Sequence, residues 1–117
     1  MLASSRGLCN DGWLEANNRL VLQLEEGARE LRIGIYLPDT GVVEGESALE
    51  LELGDGGDTV TRSRMVLQQG LNRGAMALPE GMGTLAILVV RSFYRYTPDS
   101  QSDQRQLMAV LSELHCG

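Results

Sequence analysis

Leucines spaced two apart, with polar residues between them, constrain this chain more than any other feature. Leu20, Leu22 and Leu24 share one face of an extended segment while Arg19, Val21 and Gln23 share the other. Leu31, Ile33, Ile35 and Leu37 alternate with Glu30, Arg32, Gly34 and Tyr36, and the run stops at Pro38-Asp39-Thr40-Gly41, a turn signal. Leu49, Leu51 and Leu53 alternate with Glu50 and Glu52, which makes the outward face of that strand acidic. Side chains that repeat every second residue share a face only in an extended backbone, so these segments are strands.

The punctuation agrees. Gly54-Asp55-Gly56-Gly57-Asp58 supplies residues that tolerate positive φ, and Thr59 to Leu67 follows as a strand of weaker alternation. A short segment around Ala75-Met76-Ala77-Leu78 precedes the breaker cluster Pro79-Glu80-Gly81-Met82-Gly83. Leu85 to about Tyr94 is the strongest strand, apolar on both faces, as in a central strand or one whose outer face meets something else. The segment 104–114 reads two ways. Leu107, Val110, Leu111 and Leu114 fit helical spacing and Asp103 with Gln106 imitates a capping box, whereas the company of many short strands favours a final strand. The expected fold is all-β: an antiparallel β-sandwich, jelly-roll-like, of seven or eight strands, with residues 1–117 as one domain.

A chain of 117 residues is long enough to bury a core of its own, and 43% apolar with 22% charged residues argues against intrinsic disorder. A net charge of −6 without a Lys/Arg cluster removes the attraction that dominates nucleic-acid binding and disfavours anionic membranes. Leu85 to Val90 is the longest apolar run, far short of the roughly 20 residues of a membrane-spanning helix, and the first residues lack a secretory signal. Two cysteines, Cys9 and Cys116, stand at opposite ends. Reduced thiols in a cytoplasmic protein are the simpler expectation; a bond between them would indicate an extracytoplasmic protein and add about 4 to 5 kcal/mol.

The residues offer little catalytic chemistry. The single histidine, His115, has no nucleophile–base pattern around it, and Cys9, His115 and Cys116 lack zinc spacing. No G-x-S-x-G elbow, Walker loop or dinucleotide fingerprint occurs. Carboxylates are plentiful enough for a glycosidase pair, but one Trp, three Tyr and one Phe are few for an aromatic-lined sugar groove. Asp55 and Asp58 read as a hairpin turn or as ligands of a structural calcium ion. Trp13, after Asp11-Gly12, is either a core anchor or a flat platform for the apolar face of a pyranose. Asp103 and Arg105 form a pair that either pins a loop or presents a planar fork of donors to a ligand. Of Phe93, Tyr94 and Tyr96, with Arg95 among them, one face is core and the other is site or interface.

In Asp11-Gly12-Trp13, the Leu-rich strands, Ser92-Phe93, Pro98, Ser102-Asp103, Arg105 and Leu107, the sequence resembles a family of small β-sandwich domains. These occur in bacterial proteins of surface-polysaccharide metabolism, commonly appended to glycosyltransferases. The resemblance spans nearly the whole chain, and the two motif blocks are its specific part. Where the family pattern carries a Pro-x-Glu or similar turn, this chain has Thr97-Pro98-Asp99-Ser100; Cys9 and Cys116 lie outside the pattern. The resemblance implies a non-catalytic, carbohydrate-binding-like module without a cofactor, accessory to polysaccharide metabolism. On that reading the ligand-contacting residues are Asp11, Trp13, Arg91, Tyr94, Tyr96, Asp103 and Arg105. The competing expectation is an interaction or homodimerisation module with Trp13 buried and the Leu85–Tyr94 face covered by a second copy.

Overall fold

A computed structural model describes residues 2–39, 41–80, 83–97 and 106–117. Among these there is no helix. The strands are β1 (Leu2–Leu8), β2 (Trp13–Gln23), β3 (Glu30–Leu37), β4 (Val42–Gly54), β5 (Thr59–Val66), β6 (Gly70–Ala77), β7 (Leu85–Thr97) and β8 (Leu107–Cys116). They form an eight-stranded antiparallel sheet in the order β5-β4-β7-β2-β8-β3-β6, with β1 paired to β2, and the sheet nearly closes into a barrel.

The alternating leucines become the core. Leu20 and Leu22 of β2, Leu31, Ile33, Ile35 and Leu37 of β3, Leu49, Leu51 and Leu53 of β4, and Ala86, Leu88 and Val90 of β7 are buried in one connected cluster. Each large aliphatic side chain so buried contributes about 1.5–3 kcal/mol relative to an exposed one. The segment of double meaning is the strand β8, paired with β2 on one edge and β3 on the other. Its helical spacing has a specific cause. Glu113 pairs with Gly34 but Leu111 pairs with Ile35, so Ser112 is an extra residue that flips the inward set from Leu114 and Cys116 to Leu111 and Ala109. A bulge in a strand puts a three-residue step between Leu111 and Leu114 and thereby imitates a helix turn.

A second irregularity bends β4. Val42–Gly45 pairs with Tyr94–Thr97 and Leu49–Gly54 pairs with Ile87–Ser92, which leaves Glu46, Ser47 and Ala48 opposite Phe93. Gly45 enters the bulge at φ 105°, and a Cβ there would lie 2.8 Å from the Phe93 carbonyl oxygen, so both conformation and space demand glycine. Ser47 fixes the bulge to the end of β5: its carbonyl accepts from the Leu67 N–H at 2.8 Å, and its hydroxyl donates to the Leu67 carbonyl at 2.9 Å. At the open seam between β5 and β6, Met65 reaches across to the bare backbone of Gly74, where a Cβ would come within 3.1 Å of the sulfur.

The junction of the sheet is Asn18, the one buried polar side chain among the described residues. β2 pairs with β7 from Leu20↔Leu88 to Gln23↔Leu85, but its first residues pair with β8, from Trp13↔Val110 to Glu15↔Leu107. Two residues beyond Leu20↔Leu88, the same register brings Asn18 opposite Val90, where the main chains have parted. The Asn18 amide bridges the space: Nδ2 donates to the Val90 carbonyl at 2.8 Å, and Oδ1 accepts from the Val90 N–H at 2.9 Å. Nδ2 also donates to the Glu15 carbonyl at 2.9 Å. Asn18→Ala leaves the Val90 donor and acceptor buried without these partners, and we expect it to lower the free energy of unfolding in urea by about 3 kcal/mol. Asn17→Ala, at an exposed neighbouring position, should stay within about 0.5 kcal/mol of the parent in the same titration.

Candidate functional site

Asp11-Gly12-Trp13 forms the turn that launches β2. The Cys9 N–H donates to the Trp13 carbonyl at 2.8 Å, the Gly12 N–H to the Cys9 carbonyl at 2.9 Å, and Asp11 Oδ1 accepts from the Trp13 N–H at 3.3 Å. Trp13 is half-buried, packed against the core, with its ring centroid 5.3 Å from that of Tyr96 at a tilt of 36°. On β7 the even-numbered positions continue the buried face of Ala86, Leu88 and Val90, so Tyr94 and Tyr96 point inward while Arg91, Phe93 and Arg95 point outward. The structure thus gathers Trp13, Tyr94 and Tyr96 near one end of β7 and puts Arg91 on the other face. Asp103 and Arg105, together with Pro98 and Ser102, lie outside the described residues.

Tyr94 is held by packing and by one bond: its hydroxyl donates to the Met108 carbonyl at 2.8 Å, tying β7 to β8. Burial, with the neighbouring Tyr96 phenol as a smaller contribution, pushes its ionisation well above the ordinary tyrosine range. A folded-state pKa raised above the unfolded value means that stability is fully present below the unfolded pKa, about 10, and is lost as pH rises beyond it.

The outer face of β5, β4 and β7 carries a second constellation, which alternation alone left undivided. Glu50 and Glu52 stand between arginines: Arg62 is 3.9 Å from Glu50, Arg91 Nε donates to Glu52 at 2.9 Å, and Arg64 pairs with Glu46 while covering the Phe93 ring at 5.1 Å. Glu52 is the least exposed carboxylate of these ion pairs, its side chain 13% accessible. Beside it, the turn between β4 and β5 leans over β7 and borders a shallow, open recess of about 160 Å³. Ile87 and Val89 form its floor, the Gly54–Thr59 turn one wall, and Arg19 and Glu52 its charged rim. Asp55 holds the turn by accepting from the Gly57 N–H at 3.1 Å, and Asp58 faces the recess. Sequence reasoning singled out neither Arg19 nor Ile87 and Val89. The apolar residues on both faces of Leu85–Val90 were the available signal, but which polar groups they meet depends on a register that alternation does not reveal.

A larger hollow, about 320 Å³, lies between the loop after β2 and the loops around β6 and β7; Glu25 and Glu26 are the charged residues lining it. Among the described residues, no three His, Cys, Asp or Glu side chains are grouped as a metal site requires. Cys9 and Cys116 are free thiols; Cys116 is buried, and that burial pushes its pKa up. His115 is exposed on β8. Comparison of the chain with protein-family models, curated proteins and solved structures gave no match.

The Tyr94 environment gives a direct test. Between pH 9 and 12 the urea midpoint of the parent protein should fall as the phenol ionises on unfolding, and Tyr94→Phe should flatten part of that fall. At pH 7 the same substitution should cost about 1 kcal/mol for the lost bond to Met108.

Proposed function

We propose that the protein is a non-catalytic carbohydrate-binding-like module, accessory to polysaccharide metabolism, and that the outer-face recess beside Glu52 takes a single sugar unit. The observation that carries this reading is the make-up of the recess. An apolar floor of Ile87 and Val89 suits the C–H face of a pyranose, while Glu52, Asp58 and Arg19 supply acceptors and donors for its hydroxyls. At about 160 Å³ the recess is smaller than the 300–1,000 Å³ of drug-like pockets, which fits one terminal residue of a glycan rather than a buried oligosaccharide.

The connectivity supports the finer architecture that goes with this reading, a jelly-roll-like sandwich. Divided at Asn18, the strand path falls into β2-β7-β4-β5 and β2-β8-β3-β6, the interleaving expected of two Greek keys wound together. Sugar-binding domains are among the proteins built this way. The resemblance in the Asp11-Gly12-Trp13 and Ser92–Leu107 blocks points in the same direction.

A second reading, a protein-interaction or dimerisation module, is favoured by one observation. Leu85 and Phe93 of β7 and Val60 and Val66 of β5 are all exposed on the outer face of the sheet, a larger apolar surface than a hydroxyl-rich ligand needs. Light scattering at high protein concentration separates the two, since dimerisation through this face requires a mass twice that of the chain.

Glycan-array binding should be retained by Tyr36→Ala, which lies on β3 away from the recess, and weakened about tenfold or more by Glu52→Ala. Loss of binding with Arg105→Ala but not with Glu52→Ala would instead move the ligand to the Trp13 end. Failure of every glycan would overturn the sugar reading.

A further inference from the structure

Arg6 and Arg19 face each other directly across β1 and β2. Directly opposed residues of an antiparallel pair project from the same face with their Cβ atoms about 5 Å apart, and like charges in that position destabilise the sheet. Both side chains are exposed, and neither takes part in an ion pair among the described residues, where Arg32, Arg62, Arg64, Arg73 and Arg91 each have a carboxylate. A chain with sixteen acidic residues and ten basic ones has carboxylates to spare. It nevertheless sets two arginines directly opposite one another across a strand pair.

The position of this pair gives it meaning. Arg19 lines the recess, and one step past Leu20↔Leu88 the β2–β7 register brings it opposite Val89 of the floor. Val89 in turn pairs with Glu52. A single row across the sheet therefore runs Glu52, Val89, Arg19, Arg6: an acceptor already neutralised by Arg91, an apolar floor, then two unneutralised forks of donors. Of the charged residues lining the recess, Glu52 is matched by Arg91, Asp58 belongs to the turn, and Arg19 is the cation, with Arg6 opposite it on β1. The overall charge of −6 opposes an anion only from a distance, where salt screens it over about 8 Å, whereas the arginines act at contact.

We infer that the recess is selective for an acidic sugar, a uronic acid or its equivalent, with the ring on Ile87 and Val89 and the carboxylate held between Arg6 and Arg19. This rests on the sugar reading above and names the ligand class of the same site. Guanidinium forks match carboxylates bidentately, and the ligand's charge removes the repulsion that the empty pair sustains. Glu52 and Asp58 then accept from the ring hydroxyls, which a bare inorganic anion does not supply.

The test is titration of the isotopically labelled protein with D-glucuronate, D-glucose and inorganic sulfate, following backbone amides of Gly54–Thr59 and Ile87–Val89. The parent, Arg6→Gln and Arg19→Gln are compared. Both substitutions are at exposed sites, and an unchanged amide spectrum outside the recess verifies the fold. Glucuronate should bind about tenfold or more tightly than glucose; Arg6→Gln should lose that margin while leaving the glucose affinity in place, and Arg19→Gln should lose the margin and weaken glucose binding as well. Without ligand at low salt, Arg6→Gln should melt no lower than the parent, because it relieves a repulsion. Equal affinity for both sugars, unaltered by either variant, would overturn the acidic preference and leave the sugar reading intact. Shifts with sulfate alone, or with none of the three, would overturn both.

Discussion

The amide of Asn18 stands where a stretch of main chain is missing. β2 belongs to two sets of neighbours, β7 along its second half and β8 along its first, and a strand that crosses from one to the other must let go of one partner before it reaches the next. At the point of release the Val90 N–H and C=O are buried and face β2 with no peptide within reach. Each such group would cost about 1–3 kcal/mol if unsatisfied. A primary amide offers a donor and an acceptor in nearly the arrangement of a peptide unit, and Asn18 is short enough to place them at 2.8 and 2.9 Å. Aspartate lacks the donor and serine lacks the reach. Around this one exchange the outer face of β7 is left to floor the recess, while its inner face carries Tyr94 and Tyr96 onward to meet β8 and Trp13.

The electrostatic pattern of the outer face follows from the same register. The acidic face that Glu50 and Glu52 promise is present, but Glu50 lies between Arg64 of β5 and Arg91 of β7, and Glu52 lies opposite Arg62 of β5 and takes Arg91 from the diagonal position on β7. Most of these pairs are well exposed and contribute little to stability. The same arrangement recurs across β6, β3 and β8. Arg73 and Glu113 both pair with Gly34, and because glycine has no side chain they join above it, Nη2 to Oε1 at 3.0 Å. A Cβ at Gly34 would come within 2.9 Å of the Glu113 side chain.

What the sequence makes legible is what two-residue periodicity can carry. The inward faces of the second half of β2, of β3 and of β4 are read directly from Leu22, Ile33 and Leu51 and their neighbours, whereas β7, apolar on both faces, shows no such division. β1 is illegible, because Ala3, Ser4, Ser5 and Arg6 are all exposed and nothing alternates. The first half of β2 is hidden for a related reason: Ala16 and Asn17 face solvent, and the inward residue after Leu14 is the polar Asn18. β8 is obscured by its own bulge at Ser112. At the site, the turn at Gly54–Asp58 is plain as a turn but not as a wall, since its contact with Ile87 arises from strands far apart in the chain. The opposition of Arg6 to Arg19 likewise exists only once β1 is known to be a strand.

The order of strands also bears on how the chain reaches this structure. Without β7 and β8, the remaining pairings are β1 with β2, β3 with β6, and β4 with β5, three ribbons with no ladder between any two of them. β7 then joins the β4–β5 ribbon to β2, and β8 joins β2 to the β3–β6 ribbon. A chain emerging from the ribosome therefore cannot assemble its sheet progressively. Every ladder between the ribbons is made by β7 or β8, so the ribbons become one sheet only when these two strands insert between them.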